Sequence, residues 1–430
     1  MKPFKYIAFI CLLVVQVSCT KTSKQITSTQ DYNSTLEITE NEKLELALAD
    51  FNFWDEKLQK TPNQFPYLAK AAASQTQIFN STGRIDALIK AENYLIEVNK
   101  STNYEKSGYL KALARNYISQ HKFKAALDLL KKAEANGEGL KGTEKMLFDV
   151  CLELGDYDSA KAYLEKIRKD EDFDYLIRLS KWSDHRGDLN AAIKYLEKAK
   201  VIADLSNLPS KKQWVYTNLA DYYGHAGEIK TSYNYYLKAL DIDPNDAYAK
   251  KGIAWIVYSH EKNPNEALRI LNRISQNYKS PDIYLLKSEI AEFQGDLDAK
   301  IKYFNLYTMA VENPKYGAMY NKYNALLYAE DEKKTADALK ISLEEIENRP
   351  TPASYDLLAW TYFKSGDYKQ ALKIAETHVV GKTSEPDVLL HLSEIYKANG
   401  KVEKAEELKK ELLESTFELG PLAEQQINRI

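Results

Sequence analysis

The stretch Tyr355-Asp356-Leu357-Leu358-Ala359-Trp360-Thr361-Tyr362, followed by Gly366-Asp367-Tyr368 and by Ala371 and Ala375, decides the fold of this 430-residue chain. Its apolar residues recur at three- and four-residue intervals, which predicts one helix before Gly366 and a second helix after it. Small residues at Ala359 and Ala371 let two helices approach closely, and a glycine permits the tight turn between them. The stretch therefore predicts a helical hairpin.

The same spacing of small residues, aromatic residues and turn glycines recurs along most of the chain. It is found at Ala114, Tyr117 and Ala126; at Gly155, Tyr157 and Ala160; at Gly187, Leu189 and Ala192; at Ala220, Tyr223, Gly227 and Pro244; at Gly295 and Leu297; and at Ser393, Tyr396, Gly400 and Ala405. Two further hairpins, around Ala254 with Ala267 and around Ala325 with Ala338, fit if each turn carries one extra residue. The period is about 34 residues, and no region shows the alternation typical of a strand.

This register resembles the tetratricopeptide repeat. Ala359 stands at the small eighth position of that family, Tyr362 at its aromatic eleventh position, Gly366 at its turn glycine and Ala371 at its second-helix alanine. The resemblance implies an all-α, right-handed superhelical solenoid of about ten hairpins with a concave inner wall. We expect a capping helix within residues 41–64, the solenoid over residues 65–415, and a C-terminal tail or cap over residues 416–430.

The first residues have the features of a secretory leader. Lys2 and Lys5 precede an apolar run over residues 6–17, which is too short for a permanent membrane helix. The run ends in Gln16-Val17-Ser18-Cys19, which resembles the lipobox of bacterial lipoproteins. The resemblance implies that residues 1–18 are a signal peptide and that Cys19 is lipidated. An ordinary secretory leader cut near Ser18 and an uncleaved anchor are the alternatives.

Residues 19–40 are rich in Ser, Thr, Lys, Gln and Asn, with few apolar residues to bury. This composition predicts a disordered tether. Residue Thr20 follows Cys19, whereas lipoproteins kept in the inner membrane carry Asp at that place. The resemblance therefore implies a protein anchored by lipid to the outer membrane, on its periplasmic face, with surface exposure left open.

Charge and cysteine content narrow the function. Without the leader and its Lys2 and Lys5, the chain has 62 acidic residues against 57 basic ones, which predicts no nucleic-acid-binding surface. Cys11 lies in the leader and Cys19 would carry lipid, so Cys151 remains and no disulfide framework is expected. Cys151 falls on an apolar helix face, which predicts a buried thiol.

Motifs for catalysis and cofactor binding lack their structural context. The run Gly137-Glu138-Gly139-Leu140-Lys141-Gly142 has the spacing of a dinucleotide-binding loop, but a helix precedes it where that loop needs a strand. The six histidines show no pair at the three- or four-residue spacing of a helical metal site. Carboxylates mostly alternate with lysines, as on solvated helix faces. We therefore expect no cofactor, no metal and no enzymatic activity.

By the family resemblance, certain first-helix positions of each repeat face the concave wall. The charged, polar and aromatic residues there that we predict to form a partner-binding groove are Trp214, Asn218, Asp221, Lys251, Trp255, Tyr258, Lys322, Trp360 and Phe363. Exposed Trp and Tyr beside charges are typical of interface anchors. The alternative is that some of these side chains pack between repeats.

The sequence thus predicts a non-catalytic scaffold or adaptor of the bacterial cell envelope. Its expected partners are envelope proteins or extended peptides held in the groove. The alternative is a nutrient-binding lipoprotein that captures glycans, but such proteins carry long insertions that these repeats lack. The groove side chains do not identify the partner, because one backbone accepts many surfaces.

Overall fold

The computed structural model describes residues 25–38, 40–62 and 64–430. Within these ranges the chain is helical and forms no strand. No helix in them is both long and apolar enough to cross a membrane. The predicted signal peptide, residues 1–18, and Cys19 lie outside the described residues.

The helices follow one another with short connections. They are α1 (Thr29–Glu37), α2 (Glu42–Lys60), α3 (Phe65–Thr82), α4 (Ile85–Ser101), α5 (Ser107–Ser119), α6 (Phe123–Asn136), α7 (Leu140–Glu153), α8 (Tyr157–Lys166), α9 (Phe173–His185), α10 (Leu189–Leu205), α11 (Pro209–His225), α12 (Ile229–Ile242), α13 (Ala247–Trp255), α14 (Pro264–Asn277), α15 (Asp282–Gln294), α16 (Leu297–Val311), α17 (Asn321–Ala329), α18 (Thr335–Asn348), α19 (Pro352–Lys364), α20 (Tyr368–His378), α21 (Pro386–Ala398), α22 (Val402–Glu414) and α23 (Thr416–Ile427).

Helices α3 to α22 form ten antiparallel hairpins in chain order, from α3 with α4 to α21 with α22, and α2 packs against α3. Ala114, Ala126, Ala220, Ala359 and Ala371, the small residues of the repeat pattern, are fully buried. Because these side chains are small, the two helices of each hairpin can approach closely. The prediction of an all-α solenoid of about ten hairpins is confirmed.

The hairpin turns use one backbone conformation with different residues. Gly366 has a φ of 86°, and His121 and Lys262 adopt the same left-handed region with φ of 58° and 54°. The two irregular hairpins absorb their extra residues locally. One uses a π-helical turn at Ile256–His260, and the other a 3₁₀ turn at Glu332–Lys334.

The superhelix closes against itself at a spacing of six hairpins. In the turn of the first hairpin, Gly83 contacts Lys279 at the start of the seventh hairpin. In the same way, Gly155 of the third hairpin contacts Pro350 before the ninth, and Gly187 of the fourth contacts Ser384 before the tenth. The backbone N–H of Lys279 donates to the carbonyl of Thr82 at 2.7 Å. The solenoid therefore makes one full turn in about six hairpins, and its second turn rests on its first.

The core is divided along the solenoid rather than gathered at one centre. One cluster is centred on α5 to α8, a second on α11 to α14, and a third on α19 to α23. Cys151 is a buried member of the first cluster, as predicted, and its burial raises the pKa of the thiol to about 11.

Residues 25–38, which we call the N-terminal strap, lie on the outer helices α12 and α14. Tyr32 and Leu36 are buried in the central cluster. The backbone N–H groups of Ile26 and Thr27 both donate to Oε1 of Glu261, at 2.7 and 2.6 Å. The strap is thus held by both apolar burial and hydrogen bonds.

The prediction of a disordered tether over residues 19–40 is therefore wrong for residues 25–38, and residues 19–24 lie outside the described residues. The composition of this segment is polar, but the side chains of Tyr32 and Leu36 pack into the apolar central cluster of the solenoid. The polar groups also find partners: Tyr32 donates to Glu266 at 2.7 Å, and Lys250 donates to the carbonyl of Thr35 at 2.8 Å. Composition alone does not reveal such a surface, because other parts of the chain supply it.

Replacing Glu261 with Ala removes the carboxylate that holds the start of the strap. Hydrogen bonds to charged groups contribute about 1.5–3 kcal/mol each, so we expect amide hydrogen exchange in residues 26–37 to quicken at least tenfold. The ten hairpins should keep their exchange rates. Hydrogen-exchange mass spectrometry measures both, with Glu403→Ala on an exposed face of α22 as the control. Unchanged exchange in the strap would show that Tyr32 and Leu36 hold it without Glu261.

Candidate functional site

A cavity on the inner wall has a volume of about 800 Å³, and we call it the channel. One side is formed by the first helices of the second to fifth hairpins, α5, α7, α9 and α11. The other side is formed by Arg349 to Ala353, where α19 begins, and by the connection before α21. The channel thus exists because successive turns of the superhelix face each other.

Charges of both signs line the channel. Arg178 donates from Nη2 to Oδ2 of Asp149 at 2.6 Å and from Nε to the carbonyl of Lys145 at 2.9 Å, so its guanidinium is fixed. The other carboxylate oxygen of Asp149 is buried and has no hydrogen-bond partner in the protein. The ammonium of Lys181 lies 3.9 Å from that oxygen, and its side chain is 43% exposed. Lys181 can therefore offer a cation to a ligand in the channel, while Asp149 holds Arg178 in place beside it.

Aromatic rings stand beside these charges. Trp214 is half-buried and meets the ring of Phe173 edge-on at 6.4 Å. Tyr157 and His185 pack against each other with ring centroids 4.2 Å apart. Burial and the neighbouring Arg186 lower the pKa of His185, which favours the neutral imidazole. The channel therefore combines fixed charges with apolar ring faces, which suits a peptide better than a uniformly charged polymer.

A second pocket of about 230 Å³ lies between α11, α13 and α15, and we call it the tail pocket because Phe417 and Glu418 of α23 line it. Asp221 accepts hydrogen bonds there from the phenols of Tyr236 at 2.5 Å and Tyr248 at 2.6 Å. Burial raises the pKa of Asp221, and these two hydrogen bonds act in the opposite direction.

Two further contacts shape the tail pocket. Lys251 pairs with Asp282, with Nζ 2.6 Å from Oδ2. A side chain at Gly252 would collide with the ring of Tyr236, so glycine is needed for that tyrosine to lie across α13. Lys251 and Tyr236 are therefore occupied within the protein.

The structure brings some of the predicted groove residues together. Trp214 lies on the channel, while Asp221, Lys251 and Trp255 line the tail pocket. The amide of Asn218 donates to the carbonyl of Trp214 in its own helix at 2.7 Å. The prediction thus included one residue of the channel and three of the tail pocket.

The other predicted residues are committed to internal contacts. Tyr258 is fully buried, and Trp360 is 9% exposed and stacked between His391 and Phe363, with ring centroids 4.0 and 4.8 Å away. The prediction that Tyr258 and Trp360 are open to a partner is wrong, because both rings fill gaps between successive hairpins. Phe363 is half-buried in the same stack. Lys322 is paired with Asp387 at 2.7 Å.

Sequence analysis missed the channel residues of the earlier hairpins. Arg115, Asp149, Arg178 and Lys181 lie on first helices, as Trp214 does, so the same repeat positions applied to α5, α7 and α9 would have indicated them. Arg349 gave no such signal, because it reaches the channel only through the contact between superhelical turns.

Comparisons with known proteins agree with the repeat register. A tetratricopeptide-repeat family model matches residues 149–167 and 215–246. No curated protein matches the sequence significantly.

Solved structures that share part of this fold include three that differ in how much of this chain they cover. PilF of Pseudomonas aeruginosa is 16% identical, with 49% of this chain and 94% of that chain covered and a TM-score of 0.37. The human IFIT1 dimer with PPP-AAAA is 13% identical, with 76% of each chain covered and a TM-score of 0.47. YrrB, a TPR protein with an unusual peptide-binding site, is 15% identical, with 46% and 95% covered and a TM-score of 0.27.

The half-buried carboxyl of Glu289 on α15 predicts a pH effect on stability. Tyr258 donates to Glu289 at 3.1 Å, and burial raises the pKa of Glu289 from 4.5 to about 7. The raised pKa means that this group stabilises the fold most below about pH 4.5, and that this stabilisation is lost as the pH rises through about 7.

Glu289→Gln keeps an acceptor for Tyr258 but cannot ionise. We expect the variant to gain stability over the wild type between pH 5 and pH 8, by up to about 3 kcal/mol. Chemical denaturation at several pH values measures this difference, and Glu403→Gln is the exposed control. Parallel pH profiles for wild type and Glu289→Gln would contradict the prediction.

Proposed function

We propose that this chain, which belongs to the tetratricopeptide-repeat family, is a non-catalytic scaffold of the bacterial cell envelope that binds an extended segment of a partner protein in its channel. The observation that carries the proposal is the channel itself. It is about 800 Å³ in volume and lies on the concave wall of the superhelix. Repeat solenoids use such extended concave surfaces for binding. Its size is within the range of pockets that bury small ligands or a few peptide residues.

The channel chemistry favours a peptide with mixed character. The pair of Arg178 and Asp149 gives the channel wall a fixed polar site, with Nη2 2.6 Å from Oδ2. Lys181 can pair with an acidic group, and Trp214 offers a ring for apolar contact. These three groups are fixed by rigid helices, which lowers the entropy lost on binding.

We also propose that Cys19 is lipidated and anchors the scaffold to the periplasmic face of the outer membrane. Because the N-terminal strap begins at Gln25, residues 20–24 would be the whole link between the lipid and the folded protein. Five residues span at most about 18 Å. The outer helices α12 and α14, which carry the strap, would therefore be held close to the membrane, with the channel on the inner face of the solenoid.

Channel binding can be tested by crosslinking in cells. We expect Trp214→Ala/Lys181→Glu to lose captured partner proteins, because the pair loses an apolar contact and a cation that faces the channel. Mass spectrometry of proteins crosslinked to tagged wild type and variant measures the loss.

The matched control is Lys198→Glu/Val201→Ala on the outer helix α10, where both side chains are exposed. This variant makes the same Lys→Glu charge reversal and a similar apolar truncation on the outer face. Equal capture by the channel variant and the wild type would contradict a channel site, and loss of capture in the outer variant alone would place the interface on the outer face.

Lipidation has its own test. We expect Cys19→Ala to abolish incorporation of an alkyne-labelled fatty acid and to move the protein from the membrane fraction to the soluble fraction, because a thiol is needed for the acyl linkage. Cys151→Ala is the control, since that thiol is buried. Labelling that survives Cys19→Ala would refute this anchor and leave the channel proposal untouched.

A further inference from the structure

The C-terminal tail, residues 415–430, has two halves that do different things. A break at Gly420, with φ 84° and ψ 169°, separates them within α23. In the second half, Ala423, Ile427 and Ile430 are buried in the C-terminal cluster, so this half caps the last hairpin. The first half turns inward and reaches α11, α15 and the π-helical turn after α13.

The first half is held as a bound peptide is held. The carbonyl of Phe417 accepts hydrogen bonds from Nε1 of Trp255 at 3.1 Å and from Oγ of Ser259 at 2.6 Å. The ring of Phe417 packs against the central cluster, far from the cluster that the second half caps. At Gly224 an added Cβ would lie 2.9 Å from Cε1 of this ring, so the absence of a side chain there makes room for it.

Glu418, the next residue, lies in a less favourable electrostatic environment. Glu418 has its Oε2 3.9 Å from Nδ1 of His225 on α11. It also faces Asp184 of α9, and Asp387 of α21, which Lys322 of α17 already pairs. Burial and these two carboxylates raise the pKa of Glu418. Ionised Glu418 therefore lowers the stability of the docked tail.

The channel and the tail pocket meet at this acidic wall. Asp184 and Glu385 line the channel, and Glu418 lines the tail pocket. Burial raises the pKa of Glu385, and the nearby carboxylates of Asp387 and Glu418 raise it further. A segment that follows the path of the tail, with an aromatic side chain in the seat of Phe417, would place its next residue against these carboxylates.

We propose that the tail pocket binds a linear segment of a partner protein in which an aromatic residue is followed by a basic one, and that Phe417 and Glu418 are a weaker, built-in competitor for it. The inference rests on the proposed scaffold function, because a competitor matters only if the groove takes partners. The aromatic ring would use the seat beside Gly224 and the two donors to its carbonyl. The basic side chain would pair with Asp184 and Glu385 instead of being repelled.

A direct binding assay tests the proposal with the full-length chain. Phe417→Ala empties the seat while leaving Ala423, Ile427 and Ile430 to cap the last hairpin. The probes are two fluorescein-labelled peptides, one with the sequence of residues 412–424 and one with Lys in place of Glu418. Fluorescence anisotropy measures binding, and thermal unfolding confirms that each protein variant is folded.

We expect both peptides to bind Phe417→Ala, the Lys peptide at least fivefold more tightly, with the advantage shrinking at high salt. Binding to wild type should be weaker, about tenfold if the tail fills the pocket nine-tenths of the time. A peptide that lacks the aromatic ring should not bind. The double variant Phe417→Ala/Gly224→Val should not bind either peptide, because the added side chain occupies the seat of the ring.

Several results would overturn the proposal. These are no binding to folded Phe417→Ala, equal binding to wild type and Phe417→Ala, or tighter binding of the unaltered peptide. Dimers of the wild type that Phe417→Ala abolishes would overturn it too, by showing that the occupant is the tail of a second copy. If partners are still lost from the channel variant in cells while no peptide binds here, this inference fails and the scaffold proposal stands.

Discussion

The contact between hairpins six apart is the constraint on which the functional surfaces of this protein depend. In an open solenoid each repeat touches only its neighbours, and stability is a sum of local terms. Here Gly83, Gly155 and Gly187 lie against backbone or side chains of the next superhelical turn. That contact converts a groove into the channel, because its far wall, around Arg349, belongs to a hairpin distant in the chain.

Ion pairs and stacked rings then decide how much of the inner wall remains open. Lys251 with Asp282 and Lys322 with Asp387 satisfy each other at 2.6 and 2.7 Å. Both pairs are partly exposed to solvent, so each contributes only modestly to stability. Lys251 and Asp282 link the first helices of neighbouring hairpins, α13 and α15, whereas Lys322 and Asp387 link α17 with α21, two hairpins further on. Under the proposed function, recognition falls to side chains that remain open to the channel, such as Lys181.

Both ends of the described chain dock on the solenoid, at opposite faces. The N-terminal strap lies outside on α12 and α14, and the first half of the tail lies inside beside α11 and Trp255. The central hairpins are therefore clamped from both sides. If Cys19 carries the lipid, the same hairpins link the membrane side of the protein to its binding side, so the strap fixes the orientation of the channel.

The sequence by itself determined the all-α solenoid, the helical hairpins and the buried alanines, because the repeat spacing is local and each hairpin needs only its neighbour. It also indicated Trp214, Asp221, Lys251 and Trp255, which share one register on the inner face. Only the tertiary structure decided that Tyr258 and Trp360 are buried, that residues 25–38 are ordered, and that Phe417 fills a pocket in the groove. Those outcomes depend on surfaces that are assembled from neighbouring hairpins or from residues more than a hundred positions apart. The repeat pattern carries no information on how tightly the superhelix is wound.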